Sequence, residues 1–221
     1  MNTRAVARAI VALRRGWPIT IQGEAGTLAL LAIETADAAR LAEFDPEGTA
    51  PVLLSAGRAA TLKLANQRDA ATPDAPVLVA RAPWLDFDGA VALADPQLDL
   101  ATPFKGPFRA IPVPASDAAA GALRLARIAG LLPAFFAYEG ETGETITPAD
   151  ITAHEDPARL RIVTRARLPV AGAEDAEIVA FRTPESPDEH VALLIGQPSG
   201  QPPLVRLHSE WLTGDVLGSL K

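Results

Sequence analysis

The chain has 221 residues, 48% of them apolar, with a formal net charge of −7 and no cysteine. That length holds one large domain or two small ones, with enough apolar residues for a substantial core. The negative balance excludes a nonspecific nucleic-acid binder, which needs a basic surface, and the lack of cysteine excludes disulfides and removes the usual soft zinc ligands.

Residues 3–15 read as an amphipathic helix: Val6, Ala9, Ile10 and Leu13 form an apolar stripe, with Arg4, Arg8, Arg14 and Arg15 off it. The arginines exclude a secretory leader, and no uncharged apolar run approaches the ~20 residues that cross a bilayer. A cytoplasmic protein without a membrane partner is the expectation. Gly16 ends the helix and Trp17-Pro18 turns the chain. Strands are expected at 19–22 and 28–33 around the turn 23–26, then a helix at 35–43, a turn at 45–48, a strand at 51–55 and a helix at 57–66. A strand at 76–80 and a short helix at 86–94 follow. Proline punctuates residues 96–114, and 104–108 shows no period. Residues 117–128 read as a helix opened by Asp117 and stopped by Gly130, and 131–138 as a strand.

Between Gly140 and Pro157 the composition shifts to Gly, Thr, Glu, Asp and Pro, which marks a boundary between modules. Segments 159–168, 176–182, 189–195 and 204–209 then read as four strands, antiparallel in a small sheet or open barrel. The expected class is α+β, a mixed α/β module over residues 1–140, a linker over 141–158 and a small, mainly antiparallel β module over 159–221.

Along the last of these strands and just past its end, Arg206, His208 and Glu210 recur at period two, which in a β-strand places all three on one face. A cation, an imidazole and a carboxylate are unfavourable together in a core and suit a site for a charged, hydrogen-bonding ligand. The run Arg206-Leu207-His208-Ser209-Glu210-Trp211-Leu212-Thr213-Gly214-Asp215 resembles the R-[VI]-H-S-E-C-L-T-G-D signature of GTP cyclohydrolase II. That family opens the imidazole ring of GTP, releasing formate and pyrophosphate, in riboflavin synthesis. The resemblance implies GTP contacts from Arg206, Leu207, His208, Ser209 and Glu210, with zinc and magnesium as the family's cofactors. Two departures bear on the chemistry. Trp211 stands where the family has its first zinc-ligand cysteine, and an indole offers one donor and no lone pair for a metal. The other two ligands belong to a C-D-C expected directly after Lys221. The expectation is a truncated cyclohydrolase module that holds neither metal and is inactive alone.

The first module has an echo of its own. Ala5-Arg8-Ala9-Ile10 through Arg14-Arg15-Gly16-Trp17-Pro18-Ile19, and Leu125-Ala126-Arg127-Ile128-Ala129-Gly130-Leu131-Leu132-Pro133-Ala134 with Glu139 after it, are similar to segments of 3,4-dihydroxy-2-butanone 4-phosphate synthase. That family carries a dense acidic run after its first strand, for magnesium and a sugar phosphate; here Gln22-Gly23-Glu24-Ala25-Gly26-Thr27-Leu28 keeps one carboxylate. Its H-T-E falls on Ala118-Ala119-Ala120, and alanine cannot do the acid/base work of histidine. The module is therefore expected to keep the synthase fold without the activity.

Other residues have two readings each. His208 is a nucleotide contact or a satisfied strand histidine; Arg206 pairs a phosphate or a surface carboxylate; Glu210 accepts from guanine or holds a neighbouring strand. Trp211 is a buried aromatic or a base-stacking surface. His154 and His190 lack metal-ligand spacing. Arg58, Lys63 and Arg68 are an anion patch or, more ordinarily, a solvated face. Gly23 and Gly26 lack the lysine and helix of a phosphate loop. The alternative to a cyclohydrolase portion is a non-catalytic dimerisation or docking module for an active partner.

Overall fold

The computed structural model describes residues 1–103, 105–184, 189–196, 200 and 202–207. It divides into two compact units, Met1–Asp156 and Pro157–Lys221.

In the first unit the elements run α1 (Thr3–Arg14), β1 (Ile19–Gln22), β2 (Thr27–Ala32), α2 (Ala38–Phe44), β3 (Val52–Leu54), α3 (Ala56–Thr61), β4 (Val77–Val79), α4 (Phe87–Ala94), β5 (Ala110–Ile111), α5 (Ser116–Ile128), β6 (Ala134–Glu139), β7 (Glu144–Ile146) and α6 (Pro148–His154). The strands form one seven-stranded sheet in the order β5-β4-β3-β6-β2-β1-β7. Every neighbouring pair is antiparallel except β1 with β7, which run parallel.

Side-chain alternation splits the core across this sheet. One face presents Ile19, Ile21, Leu28, Leu30, Leu53, Leu78 and Phe135 to α1, α5 and α6, whose buried residues include Val6, Ile10, Leu13, Leu125 and Ile151. The other presents Leu31, Val52, Leu54, Val77, Val79 and Phe136 to Leu41 and Phe44 of α2, Ala59 of α3 and Leu93 of α4. The result is a three-layered unit with the central strands buried on both sides.

The sequence signals account for the ends of most elements. The α1 stripe is buried as its period requires, and the Asn2 side chain caps it by accepting from the Ala5 N–H. At Gly16 the backbone has φ +69°, and a Cβ there would lie 2.3 Å from the Thr35 carbonyl oxygen, so only glycine fits. Asp86 and Asp37 cap α4 and α2. The helix expected over 57–66 stops at Thr61, because Lys63 adopts a left-handed conformation and a 3-10 turn follows at Leu64–Asn66.

Residues 141–154, where composition suggests a linker, instead form β7 and α6, and both pack on α1. The unit boundary falls between Asp156 and Pro157. Thr147 and Asp150 close a capping box over α6, with Pro148 as its first residue. Asp150 also accepts from the Asn2 backbone N–H, which ties the chain's start to this helix. Its carboxyl is held below the usual range: burial opposes the shift, and hydrogen bonds from Asn2 and Thr147 outweigh it. Replacing Thr147 with alanine is expected to destabilise the first unit by about 1 kcal/mol, measured by urea unfolding, with Thr147→Ser close to wild type.

The second unit contains β8 (Arg161–Arg167), β9 (Glu177–Arg182) and β10 (Glu189–Leu194), antiparallel in the order β10-β9-β8. A register shift between Ile162 and Thr164 marks a bulge in β8. Val179 on the central strand is buried, whereas every residue of β8 is exposed. Ile162, Val163, Val191, Leu194 and Ile195 are among the exposed apolar residues. The fourth strand expected over 204–209 does not form across its described part: residues 202–207 have no regular structure, and no strand among the described residues pairs with them. Without a partner, the alternation of Leu204 to Leu207 has no ladder to join.

Candidate functional site

Two places answer to the residues singled out in the sequence. In the second unit, Arg206 and Leu207 lie in the irregular segment 202–207, both exposed. His208, Ser209, Glu210 and Trp211 lie outside the described residues. The strand-face arrangement expected of Arg206, His208 and Glu210 is therefore not among the geometry described.

In the first unit, the β1–β2 turn, the start of α5 and the end of β6 approach one another. The turn between β1 and β2 meets the N-terminus of α5: Asp117 accepts a 2.7 Å hydrogen bond from the Glu24 backbone N–H. A Cβ on Gly23 would lie 2.4 Å from that carboxylate, so the approach needs glycine. Glu139, the last residue of β6, pairs in register with Leu28. Ala118 and Ala119 are buried in the first turns of α5. Three carboxylates thus stand on the converging stretches, and one is committed to a backbone amide.

Among the described residues neither place offers a metal centre. Among the described residues no group of three or more His, Cys, Asp or Glu side chains is placed to hold a metal ion. Magnesium wants several hard oxygen ligands and catalytic zinc wants three protein ligands. The chain has no cysteine, so its residues do not fit the zinc of a cyclohydrolase. His154 ends α6 and its buried Nδ1 has no hydrogen-bond partner, while His190 is exposed on β10 in the other unit.

Arg58 corrects the expectation of a solvated basic face. Its side chain is 8% exposed and points into the fold. The guanidinium donates to both Asp99 oxygens at 2.7 and 2.8 Å, and to the carbonyls of Leu93, Ala92 and Asp95. Lys105 donates to Asp99 as well, and to the Ala92 carbonyl at 2.6 Å. The Arg58 hydrogen bonds first, then that of Lys105, hold the Asp99 carboxyl well below the usual carboxylate range. Lys63 and Arg68 are exposed and do not join this cluster. Nothing in the helical period of α3 marks Arg58 as inward-facing; the carbonyls it meets come from the end of α4, some 35 residues along the chain.

Two of the first unit's clefts bear on these residues. A groove of about 700 Å3 runs between α1, Trp17-Pro18 and the β7 edge, with Val11 and Trp17 about half exposed in it and Arg8 paired to Glu144 on its rim. A smaller cleft of about 380 Å3 lies beside Leu28 and Glu139.

Residues 161–221 match the GTP cyclohydrolase II family. Among individual proteins, the chain is similar to the GTP cyclohydrolase-2 of Azospirillum brasilense, 36% identical over 240 residues that take in 99% of this chain and 60% of that protein. It is also similar to the GTP cyclohydrolase-2 of Actinobacillus succinogenes, 49% identical over 65 residues, 29% of this chain and 30% of that protein. That of Xylella fastidiosa is 34% identical over 122 residues, 49% of this chain and 30% of that protein. The chain thus spans about 60% of the first relative's length and about 30% of the others'. The Azospirillum likeness runs through both units, so it is not confined to the segment that carries the family match.

Among the described residues no helix is long and apolar enough to cross a membrane.

Proposed function

We propose that this chain supplies a synthase-like module and the opening sheet of a GTP cyclohydrolase II-like module, and that it does not open the guanine ring by itself. The observation that carries the reading is the coincidence of the family match over 161–221 with a tryptophan at position 211 and no cysteine in the chain. Arg206, Leu207, His208, Ser209 and Glu210 are the residues assigned to GTP. Arg206 is exposed, as a side chain that reaches a phosphate must be, and its planar fork suits two phosphate oxygens. Zinc-dependent attack on the ring needs three protein ligands and an open position. The indole of Trp211 supplies none and is bulkier than a cysteine side chain.

The test is zinc retention after desalting. A chain extended by the following segment of the Azospirillum relative and carrying Trp211→Cys is expected to hold close to one zinc per chain. The same extension with Trp211 kept is expected to hold far less. Equal zinc in the two would remove Trp211 from the account.

The other reading, a docking or dimerisation module, has one specific observation in its favour, the groove with half-exposed Val11 and Trp17. It is distinguished by sedimentation: a stable dimer lost on Trp17→Ser, with no affinity for GTP, is what that reading requires.

A further inference from the structure

On the face of the first unit's sheet that meets α5, the helix lies over β1 and β2. Towards β3 and β4 the roof is the irregular segment that leads from β5 into α5, and the 380 Å3 cleft opens between this segment and the strands. Leu28, Leu53 and Leu78 line it from three different strands and are all buried. Ile111 lines it from the end of β5 and Val113 from the covering segment, and Glu139 stands at its rim. Its volume lies within the ~300–1,000 Å3 of small-molecule pockets, which are apolar with a few placed polar groups.

The charge of this lining is one-sided. Among the described residues no lysine, arginine or histidine lines the cleft, and Glu139 is its one charged side chain. The Glu139 side chain is exposed and has no hydrogen-bond or ion-pair partner among the described residues. A phosphorylated or carboxylated ligand would find no counter-charge here and would meet a carboxylate at the entrance. A polyhydroxylated one would lose its water against the apolar walls with little in return. An apolar body ending in a protonated amine matches both ends: the body covers the partly exposed Ile111, Val113, Pro51 and Pro114 above the buried leucines, and the ammonium stays at the mouth, near Glu139 and water.

We propose that the cleft over Leu28, Leu53 and Leu78 is a binding site for a small amphiphilic organic cation, with Glu139 as the group that selects its charge. The proposal stands on the first unit alone and does not depend on the cyclohydrolase reading of the second.

The test uses the full 221-residue chain with leucine, isoleucine and valine methyls observed by NMR, titrated with 2-phenylethylamine, 2-phenylethanol and phenylacetate. The amine is expected to shift the methyls of Leu53, Leu78 and Ile111 and to bind about two- to fivefold more tightly than the alcohol, with phenylacetate weakest. Glu139→Gln is expected to bring the amine down to the alcohol's affinity and leave the alcohol unchanged; because Glu139 is exposed, this variant should fold normally. Val113→Phe, which fills the cleft, is expected to weaken all three probes. Shifts confined to other methyls, equal affinity for the three probes, or an amine preference that survives Glu139→Gln would overturn the proposal.

Discussion

Asp45→Ala is expected to destabilise the first unit by about 3–5 kcal/mol. The Asp45 side chain is 6% exposed and faces Arg81, which is 12% exposed, at 2.6 Å. It also accepts from the backbone N–H groups of Thr49 and Ala50 at 3.0 and 2.9 Å, closing the turn after α2. Arg81 in turn donates to the Leu85 carbonyl and lies over the Phe136 ring at 5.4 Å from its centroid. Removing the carboxylate leaves a guanidinium in the core without its counter-charge and two amides without an acceptor. For a unit of this size the loss corresponds to a fall of about 10 °C in melting temperature. Asp45→Asn, which keeps one acceptor oxygen, should lose less. Urea unfolding followed by circular dichroism measures both, and a change under about 1 kcal/mol for Asp45→Ala would show that the pair contributes little net stability.

Arg58→Ala carries the second large effect, about 3 kcal/mol, from backbone carbonyls left without a donor in the core. It should also change the response to acid. The folded-state pKa of Asp99 is depressed by Arg58 and Lys105, so its contribution to stability is fully present above its unfolded value near 4. That contribution is lost as pH falls through the folded value. Wild-type stability should therefore decline below about pH 5, and the Arg58→Ala variant should show a shallower decline. Unfolding midpoints measured from pH 7 to pH 2 test this; parallel curves would contradict it.

The parts of the fold legible in the sequence are those where period and punctuation agree. The stripe of α1 with its stop at Gly16, and the two strands β1 and β2 about the turn 23–26, each announce an element and its end. β7 and α6 are harder to see because their segment is polar and short. β7 has three residues and gains its place by pairing with β1, a contact no local pattern reports. For α6 the signal was present: Thr147, Pro148 and Asp150 spell a capping box with proline at the first helical position. Arg58 is illegible for another reason, since a charged residue on a short helix reads as solvated unless its distant partners are known. Of the candidate site, the lineage is legible from Arg206 to Asp215, and the missing thiolate from a residue count. The apolar cleft is not, because Leu28, Leu53 and Leu78 are far apart in the chain and read as ordinary core.

Formate release from GTP, measured with the zinc content of the same purified 221-residue chain, tests the central claim most directly. The account predicts zinc far below one per chain and no formate above the enzyme-free rate, with magnesium supplied. One zinc per chain together with turnover of GTP would contradict it.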